Sequence, residues 1–344
     1  MAVRAFACEV CGQLLFFENS VCLRCSTPQG FVPEQLALTP LREDGELVRC
    51  AQAELAACNW LVEREGGEPF CASCRLTRTR PNDNDIAGLA AYVEAERAKR
   101  RLLFELLDLG LEIDRPDLRF DLLSSAFDTV MTGHDDGLIT LDLAESDDAQ
   151  REARRTQLDE PYRTVLGHFR HEIGHYYWPA LVQAAGAEEL ERWRELFGDE
   201  RTSYDDALKR HYESGPPADW RERYVSAYAT MHPWEDWAES FSHYLHIHDT
   251  LQTAADFGLV VLGPQAASDA ALSVAATDEL LDGPFNTIIA AWLPLTYALN
   301  AVNRSMGKED LYPFTLAPTV IDKLAYVHER VGAAAPARTT APAP

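Results

Sequence analysis

The segment His171-Glu172-Ile173-Gly174-His175 decides the fold and the chemistry expected of this chain of 344 residues. It lies in an apolar stretch, residues 162–178, whose composition is compatible with a helix. Residues i and i+4 lie on the same face of a helix, so His171 and His175 are expected to present two imidazole nitrogens to one metal ion. Glu172 lies beside them and can accept a proton. This spacing is the H-E-x-x-H pattern of zinc hydrolases, in which the glutamate is the general base.

A third metal ligand is expected from the segment after His232, because catalytic zinc usually has three protein ligands and one open position. Pro233 favours the start of a helix, and residues 235, 239, 242 or 243, and 246 would share one face of it. Glu235 is the first choice of ligand, Glu239 the second and Asp236 the third. With Glu235 on the metal, Glu239 would hydrogen-bond a ligating imidazole from behind, as metal-bound histidines generally require. The alternative is a solvated acidic face that only complements the helix dipole.

Other side chains near these motifs are weaker candidates. His168, His243 and His246 are considered as extra ligands, although a lone histidine is more often a packed or surface residue. Hydrolysis of a carbonyl compound also needs a group that stabilises the developing oxyanion. Four residues are candidates for this role, and the sequence does not choose among them: His243, Tyr244, Arg304 and Tyr312.

All eight cysteines lie between Cys8 and Cys74 and divide into two sets of four. Tetrahedral zinc takes four thiolates, and a C-x-x-C turn lets two sulfurs reach the same ion. Two structural zinc sites are therefore predicted, one at Cys8, Cys11, Cys22 and Cys25 and one at Cys50, Cys58, Cys71 and Cys74. Disulfides are the alternative, but they need an oxidising compartment. A thioredoxin-like redox pair is disfavoured because no βαβ pattern surrounds either motif.

The net charge of −24 is concentrated outside the cysteine-rich segment, because residues 1–80 carry eight basic and ten acidic side chains. Such an acidic surface repels nucleic-acid backbones and anionic membranes, and it favours solubility. No apolar run is expected to be long enough to span a bilayer, and the N-terminal residues do not resemble a signal peptide. We therefore expect a cytoplasmic protein with neither nucleic acid nor a membrane as its partner.

The chain is expected to form a zinc-ribbon domain at 1–80, a larger domain at 81–332 and a disordered tail at 333–344, with a polar linker at 78–85. The ribbon buries too little apolar surface to fold without metal. Hydrophobic periodicity predicts helices in the larger domain at 86–109, 159–178, 180–197, 203–212, 233–247, 285–306 and 319–331. Strands are predicted at 118–123, 129–132 and 138–143, with Asp136-Gly137 as a hairpin turn.

Taken together, these motifs resemble those of bacterial zinc-binding metallopeptidases that carry an N-terminal zinc-ribbon domain. The resemblance covers nearly the whole chain except the tail. It rests on the two cysteine pairs of the first zinc site and on residues 98–103, 169–178, 232–239, 243–246 and 299–307. The segment Glu235-Asp236-Trp237-Ala238-Glu239 is also similar to the Glu-x-x-Ala-Asp segment of gluzincins, with Glu in place of the final Asp.

This resemblance implies a zincin-like α+β fold: a mainly helical metallopeptidase domain with a small sheet, preceded by the small zinc-ribbon domain. The edge strand of the sheet would border the active-site cleft, and residues 138–143 would be the edge to which an extended peptide docks. The implied function is zinc-dependent hydrolysis of peptide or protein substrates, with one catalytic and two structural zinc ions.

Two other classes of function are weighed against this one. The first is a non-catalytic, zinc-stabilised module that binds peptides or proteins. Glu172 argues against it, because a purely structural metal site needs no general base. The second is a ribbon that binds nucleic acid, which the acidic charge disfavours.

Overall fold

The computed structural model describes residues 4–65, 67–125, 130, 132–146, 164–263 and 273–335. Helices provide most of the regular structure, and the strands are short. The helices are Ala72–Arg75 (α1), Ile86–Asp108 (α2), Val165–Leu181 (α3), Ala187–Phe197 (α4), Tyr204–Ser214 (α5), Pro233–Asp256 (α6), Asp278–Leu281 (α7), Phe285–Ser305 (α8) and Pro318–Ala334 (α9). The strands are Phe6–Ala7 (β1), Leu14–Leu15 (β2), Gln29–Val32 (β3), Ala37–Pro40 (β4), Leu47–Arg49 (β5), Leu61–Glu63 (β6), Thr77–Thr79 (β7), Arg119–Leu123 (β8), Gly133–Asp135 (β9), Leu138–Asp142 (β10), Val260–Leu262 (β11) and Ser273–Ala275 (β12).

The N-terminal cysteine-rich part contains three antiparallel strand pairs, β1–β2, β3–β4 and β5–β6. Two-stranded hairpins are marginally stable in water on their own, and here aromatic side chains tie them together. The ring of Phe31 packs against the rings of Phe17 and Trp60, with centroids 4.9 and 5.1 Å apart. Phe17 and Phe31 also contact Phe104 of α2, at 5.0 and 5.5 Å. The ribbon is therefore packed onto the larger domain through a shared apolar core.

Helix α2 begins where Asp85 caps it, because Asp85 Oδ1 accepts a hydrogen bond from a backbone amide of the first turn at 2.8 Å. The helix predicted at 86–109 is confirmed to within one residue. Lys99 is fully buried, and its Nζ lies 2.7 Å from Glu96 Oε1. Arg100 donates hydrogen bonds to two ribbon carbonyls at 3.0 and 3.1 Å. Because buried charges need partners, this network fixes α2 against the ribbon.

The main sheet has the strand order β7-β8-β10-β9. Strand β10 runs parallel to β8 and antiparallel to β9. The hairpin between β9 and β10 turns at Asp136 and Gly137, as predicted, and both residues have positive φ, 43° and 85°. The prediction that residues 138–143 form the sheet edge is wrong, because β9 pairs with the free side of β10. The lateral order of strands depends on this non-local pairing, which makes β7 and β9 the two edge strands, with β9 at the edge that contacts α3.

Other sequence predictions differ from the structure or lie outside the described residues. The linker predicted at 78–85 begins within β7, which pairs with β8. The helix predicted at 180–197 is interrupted, because α3 ends at Leu181 and Gly186, with φ of 107°, precedes α4. Residues 333 and 334 of the predicted tail belong to α9. The strand predicted at 129–132 is misplaced, because residues 130 and 132 are not in a strand and the strand before the turn is Gly133–Asp135. Residues 129 and 131 lie outside the described residues, as do 159–163 of the motif helix and 336–344 of the tail.

Helices α3 and α6 carry the two motifs and pack closely against each other. Thr164 and His232 are their N-cap residues, and each side chain accepts a backbone hydrogen bond. The helices meet at Gly174, where a Cβ atom would lie only 3.1 Å from Ala238 Cα. Trp237 Nε1 donates a hydrogen bond to Gly174 O at 2.8 Å. This close crossing sets the histidines of α3 opposite the acidic first turns of α6.

Among the described helices, α8 is long and apolar enough, by length and composition alone, to cross a membrane. The expectation that the chain has no such segment is therefore wrong on those two criteria. Half of the most apolar window of α8 is buried inside the protein, and Trp292 and Leu295 are each only 2% exposed. A helix buried in a protein core also meets these criteria of length and composition, because it must be apolar on the faces that pack against other elements.

Candidate metal centre

Three side chains from α3 and α6 converge on one point. His171 Nε2 lies 3.0 Å from Glu235 Oε2 and 3.1 Å from His175 Nε2, and His175 Nε2 lies 3.4 Å from the same carboxylate oxygen. Zinc bonds of about 2.0–2.2 Å to nitrogen or oxygen, in tetrahedral geometry, hold ligand atoms roughly 3.3–3.6 Å apart. The three atoms therefore fit one zinc ion after small adjustments, and two imidazoles with one carboxylate are a known catalytic donor set.

Glu239 lies behind His171. Its Oε1 accepts a hydrogen bond from His171 Nδ1 at 2.7 Å. Burial would lower the pKa of His171, but the hydrogen bonds and charges of Glu235 and Glu239 outweigh it and raise this pKa well above its usual value. The ring is therefore an imidazolium here, and a metal would bind Nε2 in place of its proton. Burial alone would raise the pKa of Glu239, but the hydrogen bond and the charge of His171 outweigh it and lower this pKa to about 2. Glu239 is therefore ionised, and it holds the ring in one orientation.

Glu235 is 3% exposed and has a second partner, because Tyr204 Oη donates a hydrogen bond to its Oε1 at 3.0 Å. Burial would raise the pKa of Glu235, but the charges and hydrogen bonds of His175 and His171 outweigh it and lower the pKa well below the usual range. Since Tyr204 occupies Oε1, Oε2 is the oxygen that faces the two histidines. This arrangement supports a carboxylate that binds metal through one oxygen.

Glu172 is half-buried on α3, and its charge reaches two tyrosines, Tyr204 and Tyr228. Burial is the main cause of the raised pKa of both phenols, the charge of Glu235 comes next, and Glu172 adds to it. The ring of Tyr228 lies 5.9 Å from the ring of His171. Both phenols therefore stay protonated at neutral pH and can donate hydrogen bonds beside the three converging side chains.

The edge strand β9 brings one more side chain to the centre. The ring of His134 stacks on the ring of His175, with centroids 6.3 Å apart and planes 14° apart. Its Nε2 accepts a hydrogen bond from Gly137 N at 3.1 Å, which ties the ring to the hairpin turn. Burial lowers the pKa of His134 to about 4, so the ring is neutral at pH 7. Strand β9 thus borders the centre beside His175.

Two of the charged candidates from the sequence have partners away from this point. Asp236 is 1% exposed, and its Oδ2 lies 2.5 Å from Lys323 Nζ of α9. Burial raises the pKa of Asp236 to about 7. Arg304, on the exposed last turn of α8, forms a double hydrogen bond with Asp310. Neither residue is part of the converging group.

The remaining oxyanion candidates lie on or against α6. His243 Nδ1 lies 2.8 Å from Tyr312 Oη, and burial lowers the pKa of His243 to about 4. Tyr244 Oη lies 3.2 Å from His328 Nδ1. His243 follows Glu239 by one helical turn and is close enough to contribute to the low pKa of that carboxylate. The His243–Tyr312 pair therefore lies on the side of Glu239, behind His171.

The extra histidines considered as ligands are also outside the converging group. His168 lies on α3, three residues before His171, which is slightly less than one helical turn. His246 Nδ1 lies 2.9 Å from Arg170 Nη1, and Arg170 also pairs with Asp249 at 2.6 Å. Among the described residues, the group at this centre that has metal-binding geometry is His171, His175 and Glu235.

The eight cysteines form the two predicted groups, and within each group the four Sγ atoms lie within 4.8 Å of one another. The Sγ atoms of Cys8 and Cys25 are 3.8 Å apart, and those of Cys58 and Cys71 are 3.6 Å apart. Zinc–sulfur bonds of about 2.3 Å in a tetrahedron separate the sulfurs by roughly 3.8 Å, whereas a disulfide bond is about 2.05 Å long. All eight cysteines are free thiols, and both groups fit zinc.

Comparison with known families matches residues 88–330 to the family described as "Putative zinc-binding metallo-peptidase" and residues 5–85 to a zinc-ribbon domain. The chain belongs to this metallopeptidase family. Three uncharacterized mycobacterial proteins are similar to it, one from Mycobacterium bovis and two from strains of Mycobacterium tuberculosis. Each is 51% identical over 342 residues, which is 97% of this chain and 97% of the relative. No solved structure matches the chain.

Sequence reasoning missed three side chains that the structure places at this centre: His134, Tyr204 and Tyr228. Tyr204 is the first residue of α5, Tyr228 begins a single 3-10 turn, and His134 lies in a three-residue strand. Such short elements have no hydrophobic period that would mark an inward-facing residue. The one available signal is that Tyr228 precedes the N-cap His232 of α6 by four residues.

Proposed function

We propose that this chain is a zinc-dependent peptide-bond hydrolase with a zincin-like active site at His171, His175 and Glu235. The observation that carries the proposal is this donor set with Glu172 next to it on α3. Structural zinc sites are closed by four protein ligands, whereas catalytic sites keep one position open. Three side chains of the described residues converge at this centre, in contrast to the two groups of four cysteines.

The chain's own residues would divide the chemistry among them. Zinc bound at this donor set supplies an acidic water and a Lewis acid for the scissile carbonyl. Glu172 takes the proton from the attacking water and passes it to the leaving amine. Glu239 keeps His171 oriented through its Nδ1 hydrogen bond. Tyr204 keeps the carboxylate of Glu235 oriented in the same way.

Tyr228 is the proposed donor to the oxyanion. Its ring lies beside that of His171, and its raised pKa keeps the phenolic proton in place at neutral pH. Tyr204 donates to Glu235 and accepts a hydrogen bond from the hydroxyl of Tyr228, so Tyr228 would turn its proton from Tyr204 to the oxyanion when substrate is bound. A preorganised donor of this kind stabilises the charge that develops on the carbonyl oxygen in the transition state.

The proposed substrate is an extended peptide that lies along β9. This strand pairs with β10 on one side, and it has no second partner among the described strands. Strand addition to a sheet edge fixes an extended peptide through main-chain hydrogen bonds. His134, which belongs to β9, stacks on His175, so a peptide on this edge would pass directly beside the metal ligands.

A Glu172→Gln variant separates catalysis from metal binding. The amide keeps the size of the side chain but has no basic oxygen, so cleavage of a quenched fluorescent peptide library is expected to fall by about 10²–10⁴-fold. The zinc content, measured by elemental analysis, is expected to stay the same. Glu188→Gln, an exposed glutamate of α4, is the matched control and should behave like the parent.

The outcomes distinguish the candidate functions. Parental cleavage by Glu172→Gln would show that Glu172 is not the base. A parent protein that holds a full complement of zinc and binds library peptides, yet cleaves none of them, would support the non-catalytic peptide-binding module instead.

A further inference from the structure

Residues 226–230 lie between α5 and α6 and contain the short 3-10 turn Tyr228–Thr230, which packs against α6. They are called the 226–230 segment below. Ser226, at the start of the segment, is 8% exposed, so its hydroxyl lies largely out of the solvent. Buried polar groups are hydrogen-bonded in folded proteins, and the partners of Ser226 lie on two sides.

One partner of Ser226 is the backbone of its own turn. Ser226 Oγ accepts a hydrogen bond from Ala229 N at 3.1 Å. Thr230 Oγ1 donates a second one within the segment, to Ala227 O at 2.7 Å. Hydrogen bonds between side chains and nearby backbone groups stabilise tight turns. Ser226 therefore fixes the start of the turn that carries Tyr228.

The other partner is Glu239 of α6. The hydroxyl of Ser226 donates a hydrogen bond to the carboxylate of Glu239, whose Oε1 accepts the hydrogen bond from His171 Nδ1. A hydroxyl group has one proton and two lone pairs, so Ser226 can accept from Ala229 and donate to Glu239 at the same time. A carboxylate that is held from a second side has fewer orientations available, which keeps it aligned with the imidazole.

The same segment is linked to the carboxylate of Glu235. The hydroxyl of Tyr228 donates to the hydroxyl of Tyr204, and Tyr204 Oη donates to Glu235 Oε1 at 3.0 Å. The link to Glu239 is thus direct, and the link to Glu235 runs through two phenols. One short segment therefore contacts the partners of His171 on both sides of its ring.

We propose that Ser226 is a positioning residue of the metal centre: its proton orients Glu239, and its oxygen fixes the turn that presents Tyr228. The first effect raises the zinc affinity of the centre, because Glu239 orients a ligating imidazole. The second effect rests on the proposed function, because Tyr228 would act in the transition state. The two effects have separate readouts, so the first can be measured even on a chain that cleaves no peptide.

A Ser226→Ala variant of the full chain tests the first effect. It removes the hydroxyl but leaves the hydrogen bond between Glu239 and His171 in place. The zinc Kd of the metal centre should therefore rise by about 3–10-fold, less than the 10–100-fold usual when the direct partner of a metal ligand is lost. Competition with a chelator measures this change, and the cysteine sites should retain their zinc. Ser226→Thr keeps a hydroxyl donor and should stay within about twofold of the parent.

Ser240→Ala is the matched control. Ser240 adjoins Glu239 on α6 and is 0% exposed, and its Oγ has no hydrogen-bond partner among the described residues. The control variant removes the same atom beside the same carboxylate without breaking a hydrogen bond. It should leave the zinc Kd of the metal centre unchanged.

A double-mutant cycle tests whether Ser226 acts through Glu239. In the Glu239→Ala background, the further loss of the Ser226 hydroxyl should change the zinc Kd by less than about twofold, because the group that it positions is gone. The second effect is measured in peptide cleavage at saturating zinc. There, Ser226→Ala should lower kcat by about tenfold with little change in KM, since a displaced Tyr228 weakens an interaction made in the transition state.

Several results would overturn the proposal. A parental zinc Kd in Ser226→Ala would show that the hydroxyl does not orient Glu239, and a Ser226→Thr variant as weak as Ser226→Ala would show that the hydroxyl is not the group that matters. Equal losses of affinity in Ser226→Ala and Ser240→Ala would show a general packing effect. The full effect of Ser226→Ala in the Glu239→Ala background would show that Ser226 does not act through that carboxylate. A parental kcat at saturating zinc would remove the effect on Tyr228.

Discussion

Replacing Glu239 with alanine should weaken zinc binding at the metal centre without abolishing it. Glu239 is not one of the three converging ligands, but its Oε1 accepts the 2.7 Å hydrogen bond from His171 Nδ1. A charge-assisted hydrogen bond contributes about 1.5–3 kcal/mol, and residues that orient metal ligands are usually worth about 10–100-fold in affinity, or about 1.4–2.7 kcal/mol. The two independent magnitudes agree. The expected zinc Kd of Glu239→Ala is therefore about 10–100 times that of the parent.

Competition with a chelator of known affinity measures this change, because the cysteine sites share no ligand with the metal centre and should retain their zinc. Glu235→Ala is the comparison that loses a ligand, and it should lose the zinc of this centre altogether. Glu239→Gln keeps an acceptor without the charge and should lie between Glu239→Ala and the parent. A zinc Kd of Glu239→Ala within twofold of the parental value would refute the reasoning, and so would Glu239→Ala losing zinc as completely as Glu235→Ala.

Three further outcomes are expected. Tyr228→Phe should lower kcat by about 10²–10³-fold with little change in KM, since the phenol would act in the transition state; an unchanged kcat in peptide cleavage would remove it from that role. Lys323→Met leaves the buried carboxylate of Asp236 unpaired. The loss of a buried ion-pair partner typically costs about 3–5 kcal/mol, so the Tm should fall by roughly 6 °C or more. The control Lys209→Met, at an exposed position of α5, should leave the Tm unchanged. Titration with a mercurial reagent that attacks thiolates should release two zinc ions per chain from the eight cysteines; release of fewer than two, or disulfides in native mass spectra, would contradict the two predicted sites.

Local patterns predicted most of what lies on single elements. The i, i+4 spacing of His171 and His175 is a property of one helix, and Pro233 marks the start of α6 one residue from its actual N-cap. The cap of α2 at Asp85 and the hairpin turn at Asp136 and Gly137 follow from equally local chemistry. Each of these features needs only a few neighbouring residues to specify it, so the sequence is sufficient.

Features that depend on pairing between distant segments could not be predicted from local sequence patterns. The sheet order puts β9 at the edge, although β10 has the more strand-like sequence. A three-residue strand carries almost no period-2 signal, and its place beside α3 follows from tertiary packing. His134, Tyr204 and Tyr228 reach the metal centre from such short elements. Their roles follow from contacts across 30 to 40 residues or more, which no local pattern encodes.

The three acids at the start of α6 show how one helix separates its functions by angle. Glu235 and Glu239 are four residues apart and share a face, and that face meets His171 from two sides, at Nε2 and at Nδ1. Asp236 is rotated by about 100° from Glu235, which directs it to Lys323 of α9. An ammonium partner makes Asp236 a structural residue, whereas imidazole partners leave Glu235 the charge that a metal ion can neutralise. The buried partner therefore sets Asp236 apart from the two glutamates. Between those two, the position of Glu235 Oε2 near the Nε2 atoms of both histidines supports Glu235 as the proposed metal ligand.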